Sequence, residues 1–88
     1  MTTRMLMLDG IAMPTIERLN RARTIAIARY EEDGCFDRFG YLRDLARDHG
    51  VDLAALIQLA DLLGADEDFD GLVTSVEDGL LPPTDRLA

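Results

Sequence analysis

Glycine and proline interrupt this 88-residue chain at intervals that suit short α-helices. Gly34, Gly50 and Gly64 are spaced by about four helical turns, and Pro82-Pro83 closes the last interval. Between these breaks, apolar side chains recur three or four positions apart, as they do along one face of an α-helix. Because glycine is favoured just past a helix end and proline cannot continue a helix, each break predicts a helix terminus. The sequence therefore predicts an all-α fold, a small single-domain bundle of about four helices.

The predicted helices have recognisable ends and apolar faces. Asp52 follows the break at Gly50 and is expected to cap the third helix. Leu59 and Leu62 make that helix apolar on most sides, so it is predicted to be the central one. The helices are expected to run from Pro14 to about Glu32, from Phe36 to His49, from Leu53 to Leu63, and from a cap at Asp66 or Asp68 to about Leu80. Their inward-facing residues are expected to be Ile16, Leu19, Ala22, Ala26 and Tyr30; Phe36, Phe39, Leu42, Leu45 and Ala46; Leu53, Leu56, Ile57, Ala60 and Leu63; and Phe69, Leu72, Val73 and Val76.

Both ends of the chain lack this helical pattern. Residues 1–13 are predicted to form an N-terminal arm, either extended or folded into a hairpin with its turn at Asp9-Gly10. Residues 82–88 begin with two prolines and are expected to form a loose tail. The helical domain is therefore assigned to residues 14–81.

Size and composition limit the classes of protein to which the chain can belong. A chain of this length supports one domain with a modest core, and its 48% apolar content is typical of globular proteins. No apolar run approaches the ~20 residues that span a bilayer. The single cysteine, Cys35, excludes an internal disulfide. We therefore expect a cytoplasmic protein that does not bind membranes.

The uneven distribution of charge is the strongest indication of function. Residues 1–29 carry five arginines against two acids, a net charge of +3, whereas residues 30–88 carry four arginines against fifteen acids, a net charge of −11. A surface this acidic repels nucleic-acid phosphates and attracts basic protein surfaces. The arginines of the first predicted helix are expected to pair with acids of the chain itself. The charge therefore predicts a partner protein with a basic surface and no direct binding of nucleic acid.

The segment from Asp66 to Glu77 resembles the twelve-residue calcium loop of EF-hand proteins. Acids stand at loop positions 1, 3 and 5, glycine at position 6, an aliphatic residue at position 8 and glutamate at position 12. Ca²⁺ prefers about six to eight oxygen ligands, so the resemblance implies a calcium-binding regulator. The same segment has a helical period through Phe69, Leu72, Val73 and Val76, which predicts a buried helix face with the acids in water.

The segment from Leu42 to Leu59 resembles the helix-turn-helix pattern. Ala46 is small where two helices would cross, and Gly50 lies four residues later at the turn. A recognition helix normally presents Arg, Lys, Asn or Gln to base edges. Here the second helix offers one glutamine, Gln58, among alanine, leucine and aspartate. The resemblance therefore implies helix-turn-helix geometry that serves protein contacts.

Residue types that catalysis needs are scarce in this chain. It has one cysteine, one histidine and one serine, which are Cys35, His49 and Ser75. The cysteine and the histidine would be about 21 Å apart along one straight helix, too far to share a hydrogen bond. The sequence contains neither a glycine-rich phosphate loop nor a Cys/His metal cluster. We therefore expect no enzymatic activity, no cofactor and no metal.

These observations predict a non-enzymatic, acidic protein-binding module. It is expected to act as an inhibitor or adaptor that covers a basic, nucleic-acid-binding surface of another protein, as small anti-defence proteins of phages and mobile elements do. The alternatives are a calcium-binding regulator that uses residues 66–77, and a helix-turn-helix relative that binds proteins. The acids expected to contact the partner are Glu31, Glu32, Asp33, Asp61, Asp66, Glu67, Asp68, Asp70, Glu77 and Asp78.

Overall fold

A short hairpin leads into the helices in a computed structural model, which describes residues 7–8 and 10–83. Strand β1 (Met7–Leu8) pairs antiparallel with β2 (Ile11–Ala12). Gly10 has a φ of 82° in the connecting turn, a conformation that glycine adopts without steric cost. The hairpin form of the predicted arm is therefore confirmed for these residues, while Asp9, the first six residues and the last five lie outside the described residues.

Five α-helices follow the hairpin in the described part of the chain. Their packing confirms the predicted all-α fold, although their number and ends differ from the prediction. The helices are α1 (Met13–Arg21), α2 (Ile27–Glu32), α3 (Arg38–His49), α4 (Leu53–Leu63) and α5 (Gly71–Glu77), with a 3₁₀ turn (Ala65–Glu67) between the last two.

The first predicted helix is in fact two helices. The chain leaves helical geometry after Arg21 and resumes it at Ile27, so the prediction of one continuous helix to Glu32 was wrong. Ala22 and Ala26, expected to face inward, are exposed in the connection between the two helices. Because the connection contains neither glycine nor proline, no local signal predicted it.

Contacts with distant residues hold this connection in place. The Arg38 guanidinium donates from Nη1 to the carbonyl of Leu19 at 3.2 Å, which satisfies an acceptor left open by the end of α1. The Thr24 hydroxyl donates to the carboxylate of Asp66, far along the chain. The break therefore depends on tertiary structure, which a helical period cannot reveal.

The start of α3 was also predicted wrongly. Asp37 is the N-cap, and its Oδ1 accepts a hydrogen bond from the backbone N–H of Gly40 at 2.8 Å. Phe36 precedes this cap and lies outside the helix, where 87% of its surface is exposed. Phe36 is therefore not part of the core, because the capping aspartate places the helix start after it.

The turn between α3 and α4 agrees with the prediction. Gly50 is left-handed at a φ of 67°, and Asp52 caps α4 by accepting from the N–H of Ala55 at 2.9 Å. The N–H of Asp52 in turn donates to the carbonyl of Pro82 at 3.0 Å. Pro82 and Pro83, which were predicted to begin a loose tail, are instead held against this turn by this hydrogen bond and by an antiparallel bridge between Val51 and Pro83.

Loss of the Asp52 cap is expected to destabilise the domain measurably. Asp52→Ala removes the acceptor for the Ala55 N–H and should lower the free energy of unfolding by about 1 kcal/mol. Asp52→Asn keeps a capping oxygen and should stay close to the wild-type value. Urea denaturation followed by circular dichroism measures both variants. Equal losses in the two variants would mean that the charge of Asp52, and not its hydrogen bond, is what stabilises α4.

The core lies mainly between α3 and the helices around it. α4 is not the central helix that was predicted, because Leu62 is 81% exposed and Leu63 is 37% exposed. α3 is buried more completely, from Arg38 through Leu42. The buried core residues are Ile16, Leu19, Tyr30, Cys35, Phe39, Tyr41, Leu42, Leu45, Ala46, Leu56, Ile57, Ala60, Leu72 and Val76.

Candidate functional site

One acid of the predicted partner-binding surface lies in the interior. Asp68 is fully buried, and its carboxylate is bound by the Arg38 guanidinium through Nε at 2.7 Å and Nη2 at 3.1 Å. Arg38 itself is only 1% exposed. The prediction that Asp68 contacts a partner was therefore wrong, because a buried charge needs an internal counterion and Asp68 supplies it.

Two tyrosines complete this buried cluster. The Tyr30 hydroxyl donates to Oδ2 of Asp68 at 2.7 Å, and the Tyr41 hydroxyl donates to the Asp68 carbonyl at the same distance. Burial raises the pKa of both phenols, and the hydrogen bond to the Asp68 carboxylate adds to the rise for Tyr30. Both tyrosines therefore remain neutral donors, and the cluster connects α2, α3 and the segment before α5.

Phe69 packs against the aromatic side of the same cluster. Its ring centroid lies 5.0 Å from that of Tyr30 and 4.4 Å from that of Tyr41. The Arg29 guanidinium lies over the outer face of the Phe69 ring, 3.9 Å from its centroid. Phe69 is therefore only partly buried, because one face packs inward and the other stacks against a cation.

The structure does not assemble the EF-hand-like ligands. Asp68 points inward to Arg38, whereas Asp66 accepts from Thr24 and Glu67 accepts from the N–H of Gly71 at 3.1 Å. α5 begins at Gly71, where a calcium loop would still be curving around its ion. Within residues 10–83, no three His, Cys, Asp or Glu side chains are placed to share a metal ion. The segment is a 3₁₀ turn followed by a helix.

The other predicted acids of this segment are open to solvent. Asp66, Asp70, Glu77 and Asp78 are exposed, and Glu67 is partly exposed. None of these five forms a salt bridge with another residue of the described chain. We call these five carboxylates the 66–78 acidic surface. Their negative charge is not neutralised by any neighbouring arginine in that part of the chain.

The predicted acids outside this surface are partly neutralised. Arg29 lies 3.8 Å from Glu32 and 3.5 Å from Asp33 at the end of α2, where Glu31 is also exposed. Asp61 on α4 is bound by both terminal nitrogens of Arg18 on α1, at 3.0 and 2.9 Å. These pairs follow the expected pattern of arginines that bind the chain's own acids. They leave less free charge at α2 and α4 than at the 66–78 acidic surface.

A small acidic hollow lies between the end of α2 and α3. It has a volume of about 330 Å³, and acids line it. The Cys35 thiol donates to Oδ2 of Asp44 at 3.6 Å, and burial together with this carboxylate raises the pKa of the thiol. The lining residues are Asp33, Cys35, Tyr41, Asp44, Leu45 and Asp48. Sequence reasoning missed the two aspartates of α3, although their four-residue spacing places them on one helix face.

The hollow gives the cysteine no reactive character. A raised pKa reduces the thiolate fraction of Cys35 at neutral pH, and the thiolate is the nucleophilic form. His49, the only histidine of the chain, instead has its Nδ1 3.1 Å from the Leu45 carbonyl in the last turn of α3. The cysteine and the histidine thus have separate structural contacts.

Comparisons of the chain with protein-family models, curated proteins and solved structures gave no match. In the part of the chain from β1 to Pro83 that the structure describes, every helix is too short or too polar to cross a membrane.

Proposed function

We propose that this chain is a non-enzymatic module that binds a basic, nucleic-acid-binding surface of another protein and blocks or adapts it. The observation that supports the proposal best is the 66–78 acidic surface. Carboxylates that are exposed and unpaired attract arginine and lysine side chains and repel phosphates. A protein that carries them can occupy the site where a partner binds a nucleic-acid backbone, as a phosphate mimic would.

The different environments of Asp68 and of the acids beside it in sequence support this role. Asp68 is used inside the fold, where it holds Arg38 and Tyr30. The acids beside it in sequence are left outside without a counterion in the described structure. Because unpaired like charges repel one another and do not stabilise a fold, a stretch that leaves four of them exposed and a fifth partly exposed is better explained by an external partner. As part of the same proposal we place the module in the cytoplasm, where a chain with one unpaired cysteine is stable.

The acids of α2 extend the proposed surface in a weaker form. Glu31, Glu32 and Asp33 are exposed, but Arg29 already neutralises part of their charge. A partner arginine that approaches Asp33 would compete with Arg29, which lowers the gain from the new contact. We therefore expect substitutions in α2 to weaken partner binding less than substitutions in the 66–78 acidic surface.

Partner binding is expected to be strongly salt-dependent. The immobilised chain should capture its partner from a cell lysate at about 50 mM salt and release it at about 500 mM, because screening shortens the reach of exposed charges. With the captured protein purified, its affinity should fall at least about tenfold over that range, and duplex DNA should compete with the chain for it. A partner whose affinity is unchanged by salt would contradict the proposal.

Two matched double variants locate the surface. Asp70→Asn with Asp78→Asn removes two charges from the 66–78 acidic surface, whereas Glu17→Gln with Asp48→Asn removes two charges elsewhere. The first pair should weaken the purified partner's binding about tenfold, and the second should change it little. Thermal melts would verify that all four substitutions leave the fold intact. An equal loss in both double variants would mean that net charge alone, without a defined surface, determines binding.

A further inference from the structure

A groove more than twice as large as the acidic hollow lies between the hairpin, α3 and the start of α4. We call it the α3–α4 groove, and its volume is about 730 Å³, which is in the range of small-molecule binding sites. Ile11, Val51 and Leu53 pack against the core and also line the groove with apolar atoms. A ligand with an apolar body can therefore remove carbon surface from water there.

The α3–α4 groove is a local region of positive charge on an acidic protein. Residues 30–83 contain three arginines, and one of them, Arg38, is buried. The other two, Arg43 and Arg47, both line the groove, and Asp52 is the one acid among the described residues that line it. The lining therefore has a net charge of +1, whereas the whole chain has a net charge of −8.

The carboxylate of Asp44 positions both arginines from outside the groove. Nη2 of Arg47 donates to Oδ1 of Asp44 at 2.8 Å, and Nε of Arg43 lies 3.7 Å from the same oxygen. Asp44 lines the acidic hollow and is not a lining residue of the α3–α4 groove. Two thirds of the Arg47 side chain is exposed. Because a guanidinium carries five N–H donors in a planar fork, Arg47 can bind Asp44 with one nitrogen and an anion in the groove with another.

The first turn of α4 adds hydrogen-bond donors to the groove. Asp52 accepts from the Ala55 N–H through its side chain and from the Leu56 N–H through its carbonyl. The N–H groups of Leu53 and Ala54 have no acceptor within the described chain, and both residues line the groove. An anion bound at this position would accept from backbone donors that the helix itself leaves open.

We propose that the α3–α4 groove binds a small monocarboxylate with an apolar body, such as a medium-chain acyl carboxylate. The carboxylate lies between Arg47 and the first turn of α4, and the apolar body lies against Ile11 and Val51. One negative charge matches the net charge of the lining, whereas a dianionic phosphate monoester would leave excess negative charge beside Asp52. The inference goes beyond the proposed function, because the 66–78 acidic surface is not part of this groove.

An NMR titration of the isotope-labelled protein with octanoate tests the ligand class. Octanoate should shift the amide signals of Leu53 and Ala54 but not those of α5, with a dissociation constant of about 1 mM or tighter for a ligand of this size. Acetate lacks the apolar body, octanol lacks the charge and octyl phosphate carries a second charge, so each should bind at least about tenfold more weakly. Unshifted Leu53 and Ala54 signals at about 10 mM octanoate, or binding of any of the other three compounds as tight as that of octanoate, would overturn the proposal.

Two pairs of matched variants locate the ligand in the groove. Arg47→Gln removes a charge from the groove, whereas Arg21→Gln removes the charge of an exposed arginine outside it. Ala54→Leu extends a larger side chain into the groove, whereas Ala28→Leu makes the same change at an exposed position of α2. The two groove variants should each weaken octanoate binding at least about fivefold, and the two controls should change it little.

Thermal melts would verify that all four variants keep the fold, as expected at exposed positions. An equal change of octanoate affinity in a groove variant and its control would contradict binding in the α3–α4 groove. None of these measurements requires a partner protein, so their outcome is independent of the test of the proposed function.

Discussion

Asp68→Ala is expected to cost about 3–5 kcal/mol, since it leaves the Arg38 charge buried without a counterion. Arg38 is 1% exposed, and the substitution also removes the acceptor of the Tyr30 hydroxyl. A small domain has about 5–15 kcal/mol of total stability, so the variant should unfold at much lower urea concentration or fail to fold at ambient temperature. Circular dichroism in urea, read against the wild type, measures the loss.

A double variant separates the cost of an unpaired charge from the value of the pair. Arg38→Met with Asp68→Leu removes both charges and fills the space with apolar atoms. In a Tyr30→Phe background, which removes the buried hydroxyl that would otherwise lose its acceptor, this double variant should recover most of the stability that Asp68→Ala loses. Asp78→Ala is the positional control, because Asp78 is exposed and should change stability by no more than about 0.5 kcal/mol. If the double variant is as unstable as Asp68→Ala, the ion pair itself holds the helices together. The loss in Asp68→Ala would then not come from the unpaired, buried charge of Arg38.

The burial of Asp68 shows a limit of sequence reasoning on this chain. Asp66, Asp68 and Asp70 alternate in one acidic run, and nothing local distinguishes the middle one. Its partner lies 30 residues earlier in the chain. A weak signal did exist, because Arg38 and Tyr30 fall near apolar stripes and their polar ends need partners when buried. That signal indicates a buried acceptor without saying which acid provides it.

Local chemistry explains what the sequence did predict. Gly50 in the left-handed conformation and Asp52 at the start of α4 are determined by residues within one turn, so both were predictable. The break between α1 and α2 was not, since it depends on Arg38 and Asp66 reaching it from far along the chain. Helix ends set by local caps can be predicted, whereas those set by distant hydrogen bonds cannot.

Of the candidate surfaces, one could likewise be predicted from the sequence, whereas the others could not. The acidity of residues 66–78 is a property of composition, so it was predictable as a surface before any fold was known. The hollow beside Cys35 needs the end of α2 to meet Asp44 and Asp48 on α3, which only the folded chain shows. The exposure of Leu62 was likewise missed, because an apolar helix predicts burial on all sides.

Leu72 is expected to contribute far more to stability than the acid two positions before it. Leu72 is fully buried in α5, so Leu72→Ala should cost about 2–5 kcal/mol through lost apolar contact and the cavity that remains. Asp70 is exposed, and although it stands at the N-cap of α5, its side chain forms no capping hydrogen bond. Asp70→Asn should therefore change the free energy of unfolding by no more than about 0.5 kcal/mol.

The same pair of variants also tests the calcium interpretation of residues 66–77. A calcium loop would use the Asp70 carboxylate and only the backbone carbonyl of Leu72, so calcium would raise the melting temperature and Asp70→Asn would reduce that rise. In the structure the Asp68 carboxylate binds Arg38, so it is not available as a calcium ligand. Helix α5 begins at Gly71, where a calcium loop would still curve around the ion. For each of the three proteins, the melting curve in millimolar calcium should therefore superimpose on the melting curve of the same protein in chelator. A rise of several degrees with calcium that Asp70→Asn diminishes would show that the segment rearranges to bind the ion.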